Sequence, residues 1–393
     1  MNKNKFDFFL ELGTSKIRGA AFKFNSDEKT IYHEEDNNIL INSTINNFEK
    51  TNNLIKSFLL ELEKKSGQYI NSISLMIDAT EMKSINLSVS KNMDEKEINK
   101  KDIIFLIRDA KQQLLQNQPD IIISHIVIVK FIVDKKVYDS HPIDIICDKF
   151  SIELSFICFP KNLIKNLENL FYKNTISINR ILCSSYCRSL NIVQQNNNNS
   201  KICIIDVGYE KTSIYQFCNK NLFHIKTLKI GNNFITKDIA KVCNLSIEES
   251  EIIKKNFDIQ KNLNKKQMIP KSFFKNSNFK NISSELLFNI ISSRAEEIIN
   301  LAFNSILKND NFYNKDLKIY FIGNGSKILL DSPDYMNTYL SGVESIEFIN
   351  ETSLEICESG FKVQNGLYKS EAIIVPKIRE KTGLFEKLFH FFE

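Results

Sequence analysis

The runs FFLELGTSKIRGAAF, Phe8 to Phe22, and IIDVGYEKTSIYQF, Ile204 to Phe217, share one plan. Each is an apolar strand carrying a single carboxylate, a tight turn opened by a glycine two residues after that acid, and a second apolar strand. Glu11 and Gly13 correspond to Asp206 and Gly208, so the pattern returns after 195 positions, about half of a 393-residue chain. A repeat on that scale predicts two related halves facing each other. Length agrees, since a chain of this size exceeds one ordinary hydrophobic core.

Around the first hairpin, Phe6 to Leu12, Ile17 to Phe24 and Ile73 to Ile77 read as strands. Phe48, Leu54, Ile55, Phe58, Leu59 and Leu62 recur at helical spacing. Thr80 to Pro160 has a different character: Ile85, Leu87 and Val89 alternate, Asp94 opens a helix with Glu97 completing a capping box, and Ile121 to Val133 and Ile152 to Phe159 are strands. This segment is a small α/β insert. A helix on Leu163, Leu167, Leu170 and Phe171, a strand near Ile178 and a helix from Ser184 to Val193 return to the first half, and the asparagine run to Asn199 is a loop. The second half holds strands at Ile202 to Val207, Thr212 to Cys218 and Leu222 to Leu228. Helices start at Asn232 and Ser246, a long helix spans Ser283 to Leu307, and the strand Lys318 to Ile322 ends in GNGS.

The turns carry the chemistry. Gly13 lets the backbone approach a phosphate, the turn amides and the hydroxyls of Thr14 and Ser15 donate to its oxygens, and Lys16 supplies charge. Carboxylates at the strand ends would hold a hydrated Mg²⁺ through its waters. An ordinary hairpin with a buried, hydrogen-bonded acid is the competing reading of either loop alone.

Composition narrows the partners. A net charge of +5 is spread along the chain, whereas a nucleic-acid surface needs a concentrated basic patch, so no nucleic-acid partner is expected. Of the eight cysteines, Cys147, Cys158, Cys203 and Cys218 lie inside apolar runs, and without C-x-x-C or metal spacing the set reads as buried free thiols. His33, His125, His141, His224 and His390 form no metal or catalytic constellation. The N-terminal apolar run is interrupted by Asp7 and Glu11, too short for a signal or spanning segment.

With these motifs in order, the sequence resembles the actin-like ATPase superfamily and, within it, the FtsA family of bacterial division proteins. LELGTSKIRGA is similar to the family's first phosphate motif, usually D-I-G-T-S-K, and IIDVGYEKTSIYQF to the second. ILCSSYCRSL and SRAEEIINLAF resemble the two connecting helices. IGNNFITKDIAKVCNLSIEESEIIK resembles the G-G-N-x-x-T-x-D-I-A segment with its E-x-x-K continuation, and YFIGNGSKI the adenosine motif.

The resemblance implies an α/β, actin-like (ribonuclease H-like, duplicated) two-lobed fold with an FtsA-type inserted subdomain and an ATP cleft between the lobes. Residues 1–80 and 161–199 would form subdomain 1A, 81–160 the insert 1C, 200–233 and 312–376 subdomain 2A, and 234–311 subdomain 2B. By carry-over, Gly13, Thr14, Ser15, Lys16, Gly208 and Thr212 would contact the phosphates, and Gly231 and Asn232 would line the nucleotide. Glu251 and Lys254 would approach ribose and adenine, and Gly323, Gly325, Ser326 and Lys327 would cup the adenosine. Glu11 and Asp206 would hold Mg²⁺ through water and are the candidate catalytic acids.

Two departures bear on turnover. Glu11 stands where the family has Asp, and the glycine-rich second loop has become Tyr209, Glu210 and Lys211. Side chains there obstruct close backbone approach and Glu210 adds charge of the wrong sign, with Lys211 as compensation. ATP binding with slow or absent hydrolysis is the expectation.

After a linker, the tail from residue 377 to 393 ends in LFEKLFHFFE. Leu384, Phe385, Leu388, Phe389, Phe391 and Phe392 share one helical face, opposite Glu386, Lys387, His390 and Glu393. A terminal helix docked on its own core is the bland reading; an interfacial anchor on anionic lipid, which the family's similar ending supports, is the expected one. The resemblance further implies self-association into filaments, docking of the FtsZ C-terminal peptide, recruitment of other divisome proteins, and a peripheral location at the septum on the cytoplasmic side of the inner membrane. A pilus-assembly scaffold and a sugar or metabolite kinase on the same fold are the alternatives.

Overall fold

In the computed structural model the described residues are 6–23, 31–36, 40–41, 44–45, 47–196, 201–257, 268–274, 281–307, 315–329 and 342–368. They divide into two units, Met1–Arg188 with Ser353–Glu393, and Ser189–Thr352.

In the first unit, β1 (Asp7–Leu12), β2 (Lys16–Phe22) and β3 (Ile31–Asp36) pair antiparallel. The two-residue strands β4 (Leu40–Ile41) and β5 (Thr44–Ile45) form a separate ribbon. Helix α1 (Phe48–Ser66) starts at Asn47, whose side chain accepts the Lys50 amide, and ends at Gly67, where φ is 65°. β6 (Ser72–Ile77) then lies parallel to β1. α1 buries Ile55, Phe58, Leu59 and Leu62, each contributing roughly 1.5–3 kcal/mol if fully desolvated.

The insert is an antiparallel sheet, β7 (Lys83–Glu97), β8 (Ile121–Val133), β9 (Lys136–Tyr138) and β10 (Ile146–Pro160), in the order β7-β10-β8-β9. Helix α2 (Lys100–Asn117) packs on it around Ile103, Leu106, Ile107, Ala110 and Leu114. The helix expected from Asp94 is instead the end of β7. Asp94 and Glu95 have positive φ, 51° and 57°, and Glu97 pairs with Ile146. The capping box belongs to Asn99 and Asp102, which exchange both side-chain-to-backbone bonds.

Helix α3 (Lys161–Tyr172) leads to β11 (Ser177–Cys183), parallel to β6, and α4 (Ser184–Gln195) carries the chain into the second unit. His125 is a satisfied core histidine, its Nε2 accepting the Cys183 amide at 2.8 Å.

The second unit repeats the first. β12 (Lys201–Val207), β13 (Thr212–Cys218) and β14 (Asn221–Leu228) pair antiparallel. Helices α5 (Asn233–Cys243), α6 (Ile247–Asn256) and α7 (Ser284–Leu307) follow, then β15 (Leu317–Ile322), the short helix α8 (Ser326–Leu329) and β16 (Ser345–Phe348). The sheet orders β3-β2-β1-β6-β11 and β14-β13-β12-β15-β16 match, with the same two antiparallel and two parallel pairings. Two separate cores serve the unit. The C-terminal half of α7 packs on the sheet through Ala295, Ile299, Ala302 and Phe303, while its N-terminal half joins α5 and α6 through Leu287 and Ile291.

Helix α9 (Ser353–Gln364) corrects one boundary. The sequence reading placed residues to 376 with the second half, but α9 belongs to the first unit. It buries Ile356, Cys357, Gly360 and Val363, and Phe361 stacks on Phe22 at 4.9 Å and meets Phe9 edge-on at 5.8 Å. Covered by α1 on one side and α9 on the other, β1 and β2 need near-continuous apolar sequence.

Candidate functional site

In the first hairpin, Gly13 closes the turn by donating its amide to the Lys16 carbonyl at 2.9 Å. A Cβ here would lie 3.1 Å from that oxygen and 3.3 Å from Glu11 Oε1, so glycine lets the turn fold back over its own acid. Thr14, Ser15 and Lys16 are half-buried at the tip, the position from which hydroxyls and an ammonium reach an anion. Lys16 Nζ stands 3.5 Å from Glu34 Oε1, both side chains about a third exposed. Such a pair is weak and exchangeable for a phosphate.

Glu11 is differently placed. Its Oε2 receives Arg18 Nη1 at 2.5 Å and its Oε1 receives the Ser184 hydroxyl at 3.3 Å. Arg18 also donates from Nε to Ser353 Oγ at 3.2 Å, and Ser353 in turn donates to Glu34. Burial opposes the Arg18 charge, but Glu11 outweighs it and holds the guanidinium above its ordinary pKa; Arg188 is a second positive neighbour. Each oxygen of this carboxylate takes one protein hydrogen bond and keeps a second acceptor site for a magnesium-bound water, while the adjacent Arg18 guanidinium opposes a dication there.

The second hairpin repeats the turn, with the Gly208 amide donating to the Lys211 carbonyl at 2.9 Å. Its tip is docked on the G-N-N segment, since the Asn232 and Asn233 amides donate to the Gly208 and Tyr209 carbonyls at 3.0 and 2.8 Å. A Cβ on Gly231 would meet Tyr209 O at 2.6 Å and Lys211 N at 2.7 Å, so this glycine exists for the protein's own backbone. Glu210 and Lys211 are buried. Thr212 is fully buried and donates its hydroxyl to Ile230 O at 2.8 Å, which corrects its expected role as a phosphate donor.

Lys254, only 3% exposed, is the hub of the E-x-x-K element. Its ammonium meets Glu251 Oε2 at 2.7 Å, Thr236 Oγ1 at 2.8 Å and Asn232 O at 3.2 Å. Thr236 also donates to Glu251 at 2.5 Å, and the ammonium lies 5.5 Å from the Tyr209 ring centre. Burial lowers the Lys254 pKa, Glu251 working against that. Tyr209 is pushed up to about 12 by burial and by the carboxylates of Glu251 and Glu210. Lys254 therefore braces the second loop rather than extending toward a base.

The GNG turn sits against the end of β12. Gly325 donates to Val207 O at 2.9 Å, and Gly323, at φ 87°, would place a Cβ 2.4 Å from Asp206 Oδ1. Ser326 Oγ donates to Gly323 O at 2.7 Å, and Lys327 is exposed. The structure thus gathers Asp206, Gly208, Gly231, Asn232, Gly323, Gly325 and Ser326 around one loop. Among the described residues, the buried side-chain oxygens of Asn232, Asn233 and Ser213 lack a hydrogen-bond partner, an acceptor set suited to the hydroxyls and amino groups of a nucleoside. The tail residues Leu384, Phe385, Leu388, Phe389, Phe391 and Phe392 lie outside the described residues.

Arg18, Ser184, Arg188, Thr236 and Ser353 were missed by the sequence reading. Arg18 was recoverable: a two-residue turn at Thr14-Ser15 sets Glu11 opposite Arg18, as the register confirms. The others come from distant segments and left no local signal.

The duplicated sheet with an inserted domain defines an actin-like protein. Two solved structures share the fold: a PilM-PilN type IV pilus biogenesis complex, TM-score 0.63 and 12% identity over 89% of each chain, and the ethanolamine utilization protein EutJ from Carboxydothermus hydrogenoformans, TM-score 0.51 and 9% identity over 90% of this chain and 88% of that one. The family model for the cell division protein FtsA matches residues 203–351, and that for the SHS2 domain inserted in FtsA matches 79–158. The FtsA of Buchnera aphidicola (Schizaphis graminum) is 22% identical over 82% of this chain and 75% of its own. That of Neisseria meningitidis is 21% identical over 76% and 73%, and that of Bacillus subtilis 21% over 77% and 69%. The chain belongs to the FtsA family of cell division proteins.

Proposed function

We propose that this chain binds ATP through its two phosphate loops, polymerises, and tethers the FtsZ ring to the cytoplasmic face of the inner membrane while recruiting other divisome proteins. The observation that carries the nucleotide part is the pair of hairpins with matching topology, each ending in an acid-x-Gly turn. Thr14, Ser15 and Lys16 bind phosphate, and the docked second loop with Asn232, Gly323 and Gly325 shapes the nucleoside side. Hydrolysis is slow or absent, because Glu11 is tied to Arg18 and the second loop is filled by Tyr209, Glu210 and Lys211.

Membrane attachment rests on the amphipathic tail; among the described residues no helix is long and apolar enough to cross a membrane. One such tail binds lipid reversibly, and a filament gains avidity by linking many. Calorimetry with ATP beside a phosphate-release assay tests the first part. Saturable binding with little release is expected, and turnover at ordinary ATPase rates, near 1 s⁻¹ or above, would count against it. Co-sedimentation with FtsZ polymers, lost when an FtsZ C-terminal peptide competes, tests the partner.

The likeness to the PilM-PilN complex favours a second reading, a pilus-assembly scaffold. Identity of 12% carries fold alone, whereas both family models that match are specific to division proteins.

A further inference from the structure

We infer that β7 is a docking edge for a second copy of this chain, joining two inserts antiparallel about a twofold axis at Ser88 into one continuous sheet. The contact goes beyond the proposed polymerisation, since it needs no nucleotide and names its own surface. β7 is the long edge of the insert: it spans 15 residues, and among the described residues β10 is its only ladder partner. Its outward amides and carbonyls therefore have no strand to bond. The opposite edge, β9, has 3 residues.

Edges of this length are ordinarily blunted by charge, proline or a bulge. Here those features stand at the ends alone. Pairing with β10 runs without a shift from Lys83 to Asn92, and the irregularity follows, where Asp94 and Glu95 take positive φ. The run from Ser84 to Ser90 carries no charge and no proline, and the next residue, Lys91, is neutralised by Asp102 at 2.5 Å. Ile85 and Leu87 pack on the insert core yet stay partly exposed. A strand laid alongside would cover them.

The run also matches itself. A twofold axis perpendicular to the sheet keeps α2 of both copies on one face, so odd-numbered residues meet odd and even meet even. Centred on Ser88, Leu87 meets Val89 of the second copy, Asn86 meets Ser90, and Ser84 meets Asn92. Apolar side chains then face apolar ones and polar face polar. Centred on Leu87 instead, Lys83 would lie opposite Lys91, and like charges directly opposed are destabilising. A strand of another protein would have to supply this alternation; a second copy already carries it.

The test uses the full chain without nucleotide, so its failure would leave the proposed function untouched. Sedimentation over a concentration series should show a dimer; a monomer at every concentration would overturn the inference and leave the edge to a strand of some other chain. In Ser88→Cys, a short bismaleimide should link two chains across the axis. Asn92→Cys is the control, because its two copies would stand about 27 Å apart at about 3.4 Å per residue. Equal linking at both positions, or none above the wild-type level in Ser88→Cys, would contradict the pairing. Asn86 and Ser90 are exposed, so charges placed there spare the fold and check the register. Asn86→Lys with Ser90→Lys sets two like-charge pairs across the axis and should weaken dimerisation about fivefold or more, whereas Asn86→Glu with Ser90→Lys sets two opposite pairs and should restore it. Equal dimerisation of wild type and both double variants would overturn the assignment.

Discussion

Lys254 Nζ lies 2.7 Å from Glu251 Oε2 inside the second unit, with the Tyr209 ring 5.5 Å away on the loop that this pair supports. Removing one partner leaves a buried charge uncompensated, which costs about 3–5 kcal/mol. Glu251→Ala is therefore expected to lower the unfolding midpoint sharply, and adding Lys254→Met to recover much of the loss. Denaturant melts of the two single variants and the double variant check this, and additive losses would contradict it.

The same lysine makes a pH prediction. Burial puts its folded pKa below the unfolded value, so between the two the unfolded chain binds more protons and stability rises with pH. The stability gap between wild type and Lys254→Met should shift in favour of wild type as pH climbs toward 10.5, the ordinary value. Urea midpoints of both proteins at pH 8 and pH 10 give the comparison.

Gly231 and Gly208 both border the second loop, yet they should respond to alanine with different severity. At Gly231 the new Cβ meets three backbone atoms of residues 209–211 at 2.6–2.8 Å. At Gly208 it meets only the Lys211 carbonyl, at 3.1 Å. Gly231→Ala should cost about 1–3 kcal/mol through overpacking and weaken nucleotide binding by displacing Tyr209. Gly208→Ala should change stability by less than about 1 kcal/mol. Thermal melts and nucleotide titrations of both variants would separate them.

Much of this was legible beforehand because hairpins and helices are local. The acid-x-Gly turns located both loops, and the heptad-like run Phe48 to Leu62 located α1. The insert's change of pattern marks it in the sequence, but Asp94 and Glu97 mimic a capping box that Asn99 and Asp102 supply, so its helix begins later than the pattern suggests. What sequence could not show is which partners a polar group finds at long range. Thr212 has the pattern of a phosphate donor, but its hydroxyl donates to the Ile230 carbonyl, and Ser353 joins Arg18 from a position 335 residues away. The final helix was misassigned for the same reason, since only packing of Phe361 against Phe9 and Phe22 reveals its unit.

The cysteines predict alkaline lability. Burial pushes the Cys158 thiol up from 9.0 to about 12 and raises Cys203 and Cys357 as well. The unfolded chain loses these protons first, so their contribution to stability falls as pH rises from 9.0 toward about 12. At pH 8 a thiol reagent should modify Cys218, the partly exposed one, well before the seven buried ones. Rapid labelling of all eight in the native protein would contradict the buried placement.

Glu11→Ala should be among the most damaging single changes in the first unit, since it strands the Arg18 guanidinium between β2 and α9. A loss of about 3–5 kcal/mol is expected for this buried pair. Replacing both partners, as Glu11→Leu with Arg18→Met, should restore most of that stability because no charge then remains unpaired. Denaturant melts of the wild type, the two single variants and the double variant decide the matter: stability that tracks pairing would show that the ion pair organises the first hairpin, and equal losses in the single and double variants would contradict it.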